Sequence, residues 1–253
     1  MSDSTTIRPE EAEFFSNLAK DWWNPKGKMA SLHQVNPVRL EFIRAAIDAH
    51  FGTDSRGIKP LSGKSALDIG CGAGLVCEPL ARLGAEVTGV DAASDNVAAA
   101  SAHAEAGGLD IRYMAGEVAS LDIGTFDLVT SLEVVEHVAD KRAFLADVTA
   151  RLAPGGLLVL STPNRTAASR VLLVGAAEAV GYVPKGTHHW EDFIIPAELE
   201  VMLADFGLEV VEQRGIAWRP GKGLPDDRCA GLRCQRRCLY RLRRCRNLRP
   251  CRA

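Results

Sequence analysis

The stretch Leu67-Asp68-Ile69-Gly70-Cys71-Gly72-Ala73-Gly74 decides the fold, because a short apolar run leads into a glycine-rich loop and then into a helical pattern. In a parallel sheet covered by helices, ligands bind beyond the carboxyl ends of the strands, where this loop lies. Glycines let the backbone approach such a ligand closely. The spacing is G-x-G-x-G, and Leu75 stands where a nicotinamide-binding loop carries its third glycine. The sequence therefore predicts a ligand-binding loop whose spacing weighs against a dehydrogenase.

Short apolar runs alternate with helical segments on both sides of this loop. The runs cover residues 65–69, 86–90, 111–115, 126–131, 157–162 and 208–212. Gly84, Gly107 and Gly207 close several of the helical segments between them. Apolar runs without a period of two are typical of parallel strands that are buried on both faces. We predict an α/β fold with a doubly wound, mostly parallel sheet.

Two helices are predicted before the sheet. Apolar residues at helical spacing indicate a helix over 9–22, and Asn36 followed by Pro37 is typical of the start of a second helix. Residues 1–60 should form a helical cap, and residues 61–223 should form the core of the sheet.

The composition is that of an ordinary globular protein, since 47% of the 253 residues are hydrophobic and 25% are charged. No run of 18 apolar residues predicts a membrane-spanning helix. The polar, acidic N-terminus is unlike a secretory signal, so we expect a cytoplasmic location. A formal net charge of −2 gives no general reason to expect nucleic acid as a partner.

The tail, residues 224–253, has a different composition from the rest of the chain. It holds ten Arg, five Cys and two acids, and therefore carries about +8. Guanidinium groups without partners are costly to bury, so this segment is not expected to supply the last strand of the sheet. The absence of His and of a C-x-x-C pair weighs against zinc, whereas an RNA-binding arm stays open on charge. We expect a disordered or frame-shifted end that leaves the fifth strand with an open edge.

The segment 166–183 is nearly uncharged, with Arg170 and Glu178 as its charged residues. Such a segment could be a buried helix, or a lid or surface that dips into a bilayer.

Acidic residues follow the second and fourth predicted strands. Asp91 ends the second strand, where a carboxylate can bind two ribose hydroxyls. Glu133, Glu136 and His137 follow the fourth strand, and their oxygen and nitrogen atoms could bind a divalent cation. Packing, or positioning of an acceptor molecule, is the other explanation for these three residues.

The strand, glycine loop and second acid together resemble class I S-adenosylmethionine (SAM)-dependent methyltransferases. Asp68 and Gly70 match the first motif of those enzymes, and Asp91 matches their ribose-binding acid. Gly72 belongs to the same loop. The resemblance also implies that Glu117, after the third strand, approaches the adenine amine.

Four further motifs resemble the ubiquinone-biosynthesis O-methyltransferases in particular. They read DWWNP (21–25), LHQVNPVRL (32–40), STPNR (161–165) and VPKGTH (183–188), and the match runs from about residue 14 to 215. The resemblance places cofactor contacts on Arg39, Gly70, Asp91 and Leu132. A guanidinium such as that of Arg39 can hold the methionine carboxylate of the cofactor through two hydrogen bonds.

This resemblance implies methyl transfer from S-adenosyl-L-methionine to a ring hydroxyl of a polyprenylated catechol and of demethylubiquinol. It also implies a Mg²⁺ site, known from eukaryotic relatives, on Glu133, Glu136 and His137. The acceptor must lose a proton whose pKa is about 10 in a free phenol. A cation bound by both catechol oxygens could stabilise the phenolate, or His137 or His188 could accept the proton. The residues leave both mechanisms open.

A polyprenylated acceptor is strongly hydrophobic, which implies peripheral contact with the inner membrane through residues 166–183. It also implies contact with other quinone-biosynthesis enzymes. Two alternatives also stay open at this point. One is methylation of another small phenolic molecule, and the other is a non-catalytic protein that binds the cofactor.

Overall fold

One mixed sheet of eight strands forms the centre of the computed structural model, which describes residues 5–170, 189–217, 226–229 and 237–244. The strands are β1 (Ser65–Ile69), β2 (Glu86–Asp91), β3 (Ile111–Ala115), β4 (Phe126–Leu132), β5 (Leu152–Pro163), β6 (Leu208–Ala217), β7 (Asp226–Cys229) and β8 (Arg237–Arg244). Their order across the sheet is β3-β2-β1-β4-β5-β8-β6-β7.

The first five strands are parallel, and the chain changes direction across the sheet between β1 and β4. Leu67 pairs with Thr88 on one side, and Asp68 pairs with Thr130 on the other. The loops after β1 and β4 therefore leave the same edge of the sheet side by side, which is where ligands bind in doubly wound folds. The predicted α/β fold with a mostly parallel sheet is confirmed.

Helices cover both faces of the sheet. They are α1 (Pro9–Ser16), α2 (Ala30–Phe51), α3 (Cys77–Arg82), α4 (Ser94–Ala106), α5 (Lys141–Ala150), α6 (Ala167–Ser169) and α7 (Pro196–Asp205). On one face, Phe42 and Ile47 of α2 pack with Val159 of β5. On the other face, Leu145 of α5 and Leu199 of α7 are buried without exposure to solvent. Full burial of each such side chain contributes about 1.5–3 kcal/mol.

The start of α2 corrects the prediction that Asn36 caps this helix. The helix begins at Ala30, so that Asn36 and Pro37 lie inside it. The Asn36 amide does not cap the helix but donates to the Leu75 carbonyl oxygen at 3.2 Å. Burial of the apolar face of a 22-residue helix outweighs the local signal of the Asn-Pro pair. The first helix is also shorter than predicted, since α1 ends at Ser16 and a 3-10 turn follows over Ala19–Asp21.

The prediction that the tail supplies no strand is wrong. Strand β8 lies antiparallel between β5 and β6, with Tyr240 opposite Leu160 on one side and Gln213 on the other. Strand β7 pairs with the outer edge of β6. The expected open edge of β5 is therefore covered by β8. The idea of a frame-shifted end concerns the origin of the sequence and stays a prediction.

Paired charges explain how an arginine-rich segment fills this position. Arg241 faces Glu212 at 3.6 Å and Arg243 faces Glu209 at 3.1 Å, so acids of β6 neutralise arginines of β8. Arg244 donates to the carbonyl oxygen of Thr149 at 3.1 Å. Leu239, Tyr240 and Leu242 are fully buried and supply the apolar surface that an interior strand needs.

The predicted segment 166–183 falls mostly outside the described residues. Thr166 caps α6 through its hydroxyl, which accepts from the Ser169 amide at 3.0 Å. Residues 171–183 and His188 are not described. Within the described ranges, no helix is both long and apolar enough to cross a bilayer.

Candidate functional site

A cavity of about 210 Å³ lies where the loops after β1, β2 and β4 meet. Residues of the N-terminal segment, which we define as residues 5–23, form one of its walls. The structure brings the predicted cofactor residues Arg39, Asp68, Gly70, Asp91, Glu117 and Leu132 to this cavity. Glu133 and His137 also line it, whereas Gly72 and Glu136 do not.

Two glycines of the loop after β1 have conformations and neighbours that exclude a side chain. Gly70 has φ 73° and Gly72 has φ 52°, in the left-handed region. A Cβ atom at Gly70 would overlap Val134, and one at Gly72 would overlap the Trp22 ring. Trp22 therefore packs directly on the loop backbone. The close approach of a ligand to this loop stays a prediction.

Asp91 ends β2 with its carboxylate fixed by three donors. Oδ2 accepts from the Gly72 amide at 2.8 Å, and Oδ1 accepts from the Ala93 amide at 2.9 Å and from Asn96 Nδ2 at 3.1 Å. Burial raises the pKa of Asp91, and these hydrogen bonds oppose the shift. A carboxylate held in one orientation at the cavity wall suits recognition of a pair of hydroxyls.

Asp68 is held more tightly within the core. Thr130 Oγ1 donates to its Oδ1 at 2.6 Å, and the Cys77 thiol lies 3.5 Å from Oδ2. Burial raises the pKa of Asp68 to about 7, although the Thr130 hydrogen bond opposes this shift. Both oxygens are thus directed at groups of the sheet and of α3.

Glu117 contacts the N-terminal segment. Its Oε1 accepts from the backbone amide of Thr6 and, at 2.6 Å, from the Thr6 hydroxyl. Burial would raise the pKa of Glu117, but the hydrogen bonds from Thr6 outweigh it and lower the pKa. Thr6 thus occupies one carboxylate oxygen of Glu117. The contact of Glu117 with the adenine amine stays a prediction.

Arg39 and Glu133 form a buried ion pair at the cavity wall. Arg39 Nη2 lies 3.4 Å from Glu133 Oε1, and their side chains are 3% and 10% exposed. The same oxygen accepts from the Ser161 hydroxyl at 2.9 Å, and the Glu133 amide donates to the Ser161 carbonyl oxygen at 2.9 Å. Glu133 has φ 59°, which is unfavourable for a residue with a side chain.

His137 lies between two acids. Its Nδ1 is 3.0 Å from Glu11 Oε2, and its Nε2 is 3.9 Å from Oε1 of the buried Glu136. Burial on its own would lower the pKa of His137, but the hydrogen bond to Glu11 and the charge of Glu136 outweigh it and raise the pKa. Burial and the charge of Glu133 raise the pKa of Glu136 to about 7.

The three predicted metal ligands do not form a ligand set in this arrangement. Glu133 binds Arg39 and Ser161, Glu136 accepts from the Thr162 hydroxyl at 3.1 Å, and His137 binds Glu11. Among the described residues, no group of three or more His, Cys, Asp and Glu side chains is placed to hold a metal ion. The Mg²⁺ site stays a prediction that these side-chain positions do not fit.

The N-terminal segment contributes residues to the cavity wall that the sequence did not indicate. Glu11 reaches His137, and Arg8 forms two hydrogen bonds with Asp192 at 2.7 and 3.0 Å. Glu11 sits in the run PEEAEFF, where spacing alone does not distinguish it from Glu10 or Glu13. Only the position of α1 over the cavity separates the three acids.

Solved structures share this fold. A magnesium protoporphyrin IX methyltransferase from Synechocystis PCC 6803 with bound SAH has a TM-score of 0.64 and 21% identity, over 92% of this chain and 98% of that one. A SAM-dependent methyltransferase from Thermotoga maritima has a TM-score of 0.63 and 15% identity, over 93% and 99%. At these identities the comparison supports the fold.

The strand order, the glycine loop after β1 and the acid ending β2 define a class I SAM-dependent methyltransferase. The family described as a methyltransferase domain matches residues 39–213. The chain is 46% identical over 226 residues to the ubiquinone biosynthesis O-methyltransferase of Azorhizobium caulinodans, covering 88% of this chain and 89% of that protein. It is 48% identical over 217 residues to the protein of the same name from Paramagnetospirillum magneticum, covering 85% and 87%. The chain belongs to the ubiquinone biosynthesis O-methyltransferase family.

Proposed function

We propose that this chain transfers a methyl group from SAM to a ring hydroxyl of a polyprenylated catechol and of demethylubiquinol. Support comes from its identity to relatives named for ubiquinone biosynthesis and from the cavity at the ends of β1, β2 and β4. The observation that carries the proposal is the position of His137, a titratable group in the wall of the same cavity as Asp91 and Gly70.

Methyl transfer from a sulfonium is an in-line displacement, so alignment of oxygen, methyl carbon and sulfur supplies much of the rate enhancement. In this proposal the glycine loop packs along the methionine part of the cofactor, Asp91 binds its ribose, and Arg39 binds its carboxylate. Leu132, at the end of β4, lies against the cofactor. These contacts leave the acceptor hydroxyl on the side of the cavity where His137 lies.

His137 is proposed as the general base that takes the proton of the acceptor hydroxyl. In the neutral ring whose Nδ1–H donates to Glu11, Nε2 is the basic nitrogen and takes that proton. The carboxylate of Glu11 then stabilises the imidazolium, as an acid does beside a catalytic histidine. No step of this mechanism uses a metal ion, since the predicted ligands do not converge.

A transfer assay with methyl-labelled SAM and a short-chain prenyl catechol tests this proposal. We expect turnover to persist in excess chelator, and His137→Gln to lower kcat about 10²- to 10⁴-fold, the usual contribution of a general base. Binding of SAH should stay within about twofold of wild type, because His137 does not hold the cofactor. His50→Gln, which changes a histidine bonded to Gly155, is the matched control and should be fully active.

Other outcomes of the assay separate the alternatives. Loss of turnover in chelator and its recovery with Mg²⁺ would replace the histidine mechanism by a metal mechanism. Normal cofactor binding without turnover of any catechol would indicate a binding protein. Methylation of catechols without a prenyl chain in preference to prenylated ones would indicate another small phenolic substrate.

Contact with the inner membrane through residues 166–183 is part of the same proposal, because a polyprenyl acceptor resides in the bilayer. Contact with other quinone-biosynthesis enzymes follows from the shared acceptor. Flotation with liposomes should retain the protein, and Leu172→Asp with Val174→Asp should release it. Ile58→Asp is the control, since Ile58 is 82% exposed outside this segment. Equal retention of all variants would contradict membrane contact through 166–183.

A further inference from the structure

The buried ion pair of Arg39 and Glu133 is the feature from which we infer a further cofactor contact. We propose that the Glu133 carboxylate accepts a hydrogen bond from the α-ammonium group of the cofactor while Arg39 binds the cofactor carboxylate, so that the pair recognises the whole amino-acid end. The inference rests on SAM being the methyl donor, and it does not depend on the identity of the acceptor.

Charge and position support this assignment. Arg39 Nη2 and Glu133 Oε1 are 3.4 Å apart, and both side chains line the cavity. The amino-acid end of the cofactor carries a carboxylate and an ammonium on one carbon atom, so its two charges are a similar distance apart. The cofactor carboxylate then faces Arg39 and the cofactor ammonium faces Glu133. Each buried charge of the protein therefore has an opposite charge of the ligand beside it.

The carboxylate of Glu133 is held ready for such a ligand. The Ser161 hydroxyl donates to Oε1, and the Glu133 amide is tied to the carbonyl oxygen of the same serine. The backbone at Glu133 keeps φ 59° in spite of its side chain, and strained backbone of this kind concentrates at functional sites. The hydrogen bonds that Ser161 forms with the side chain and with the backbone amide of Glu133 hold Glu133 in that conformation.

Asp68 is the competing acid for the ammonium, and its contacts argue against it. One of its oxygens accepts from Thr130, and the other faces the thiol of Cys77. Glu133, by contrast, is directed at Arg39, which the family resemblance places on the cofactor carboxylate. This role for Glu133 also explains why it does not join Glu136 and His137 in a metal site.

Calorimetry with two ligands separates recognition of the amino acid from effects on the fold. S-adenosylhomocysteine carries the amino-acid end, whereas 5′-methylthioadenosine lacks it. We expect Glu133→Gln to weaken S-adenosylhomocysteine at least tenfold and to leave 5′-methylthioadenosine within twofold of wild type. The matched control is Asp127→Asn, an acid near the start of β4 that pairs with Lys64 and does not line the cavity, and it should alter neither affinity.

Glu133→Asn serves where Glu133→Gln does not fold, because asparagine tolerates a positive φ better than other residues. Unchanged affinity for S-adenosylhomocysteine in either folded variant overturns the proposal. An equal loss of both ligands also overturns it, since the effect would then act through the loop or the fold. Magnesium binding by wild type that is lost in the variant, with S-adenosylhomocysteine bound normally, would return Glu133 to the metal site.

Discussion

Trp23 lies flat on His103, with ring centroids 3.5 Å apart and ring planes within 3° of parallel. Its indole Nε1 donates to the carbonyl oxygen of Ala73 in the glycine loop at 2.9 Å. His103 in turn contacts the buried carboxylate of Glu78 through Nδ1. The end of the N-terminal segment is thereby anchored to α3, to α4 and to the loop that faces the cavity.

Trp23→Phe should keep the stacking and remove the hydrogen bond to Ala73. We expect a loss of about 1 kcal/mol in the free energy of unfolding, the usual worth of a hydrogen bond, and weaker binding of SAH. Trp23→Ala, which also removes the stacking, should cost more on both measures. Denaturant unfolding and calorimetry check this prediction, and equal values for the two variants would show that the stacking contributes nothing.

Asp91→Ala should weaken SAH at least tenfold, because a hydrogen bond to a charged group contributes about 1.5–3 kcal/mol. Asp95→Ala, which removes a nearby acid bonded to Ser16, is the control and should leave the affinity unchanged. Calorimetry measures both variants. A folded Asp91→Ala protein with wild-type affinity would exclude this acid from the ribose site.

Gly70→Ala should impair cofactor binding and stability together, because its φ is 73° and its Cβ would overlap Val134. Gly52→Ala measures the cost of the positive φ alone, since Gly52 has φ 67° and no atom lies within 4 Å of its added Cβ. We expect a cost of about 1 kcal/mol for Gly52→Ala and more for Gly70→Ala. Denaturant unfolding gives both values, and the two costs should not be equal.

Tyr240→Ala should cost about 3–5 kcal/mol in the free energy of unfolding, as for other large buried side chains in a core. Arg243→Ala, on the same strand but half exposed and paired with Glu209, should cost less than about 1 kcal/mol. Denaturant unfolding distinguishes the two. A wild-type value for Tyr240→Ala would mean that β8 does not belong to the folded sheet.

Acid should release the N-terminal segment. The hydrogen bond from Arg8 lowers the pKa of Asp192 to about 2, and the charge of Lys141 adds to this. Because the folded-state pKa is lowered, the stabilisation is complete above the ordinary pKa of about 4 and is lost as the pH falls towards 2. The protection factors of the backbone amides of residues 8–16 against hydrogen exchange should therefore fall in that window. Asp192→Asn should remove the pH dependence, and its persistence would assign it to another acid.

Much of the sheet could be predicted from the sequence because apolar runs mark buried parallel strands. The bounds 65–69 and 111–115 were predicted as β1 and β3 have them. Strand β8 was missed because composition alone does not show that Glu209 and Glu212 neutralise its arginines across the sheet. Long-range pairing decides such a strand, and local propensity does not.

Residues of the candidate site could be predicted where the local pattern of strand and loop alone fixes their position. Gly70 directly follows β1 and Asp91 ends β2, so their positions follow from the topology. Glu11 was not predictable, because it reaches His137 from a helix 126 residues away in sequence. The contact of Glu133 with Arg39 was missed for the same reason, since the two residues lie on separate elements.

The interior position of β8 has a consequence for biosynthesis. On the ribosome, β5 and β6 are made before the strand that separates them, so each has an unpaired edge until residue 244 has been synthesised. Unpaired edges recruit other chains, and incomplete folding intermediates aggregate through them. The nascent protein therefore passes through a stage in which most of the described sheet is made but β5 and β6 are not yet joined, and the yield of folded protein depends on how quickly β8 is added.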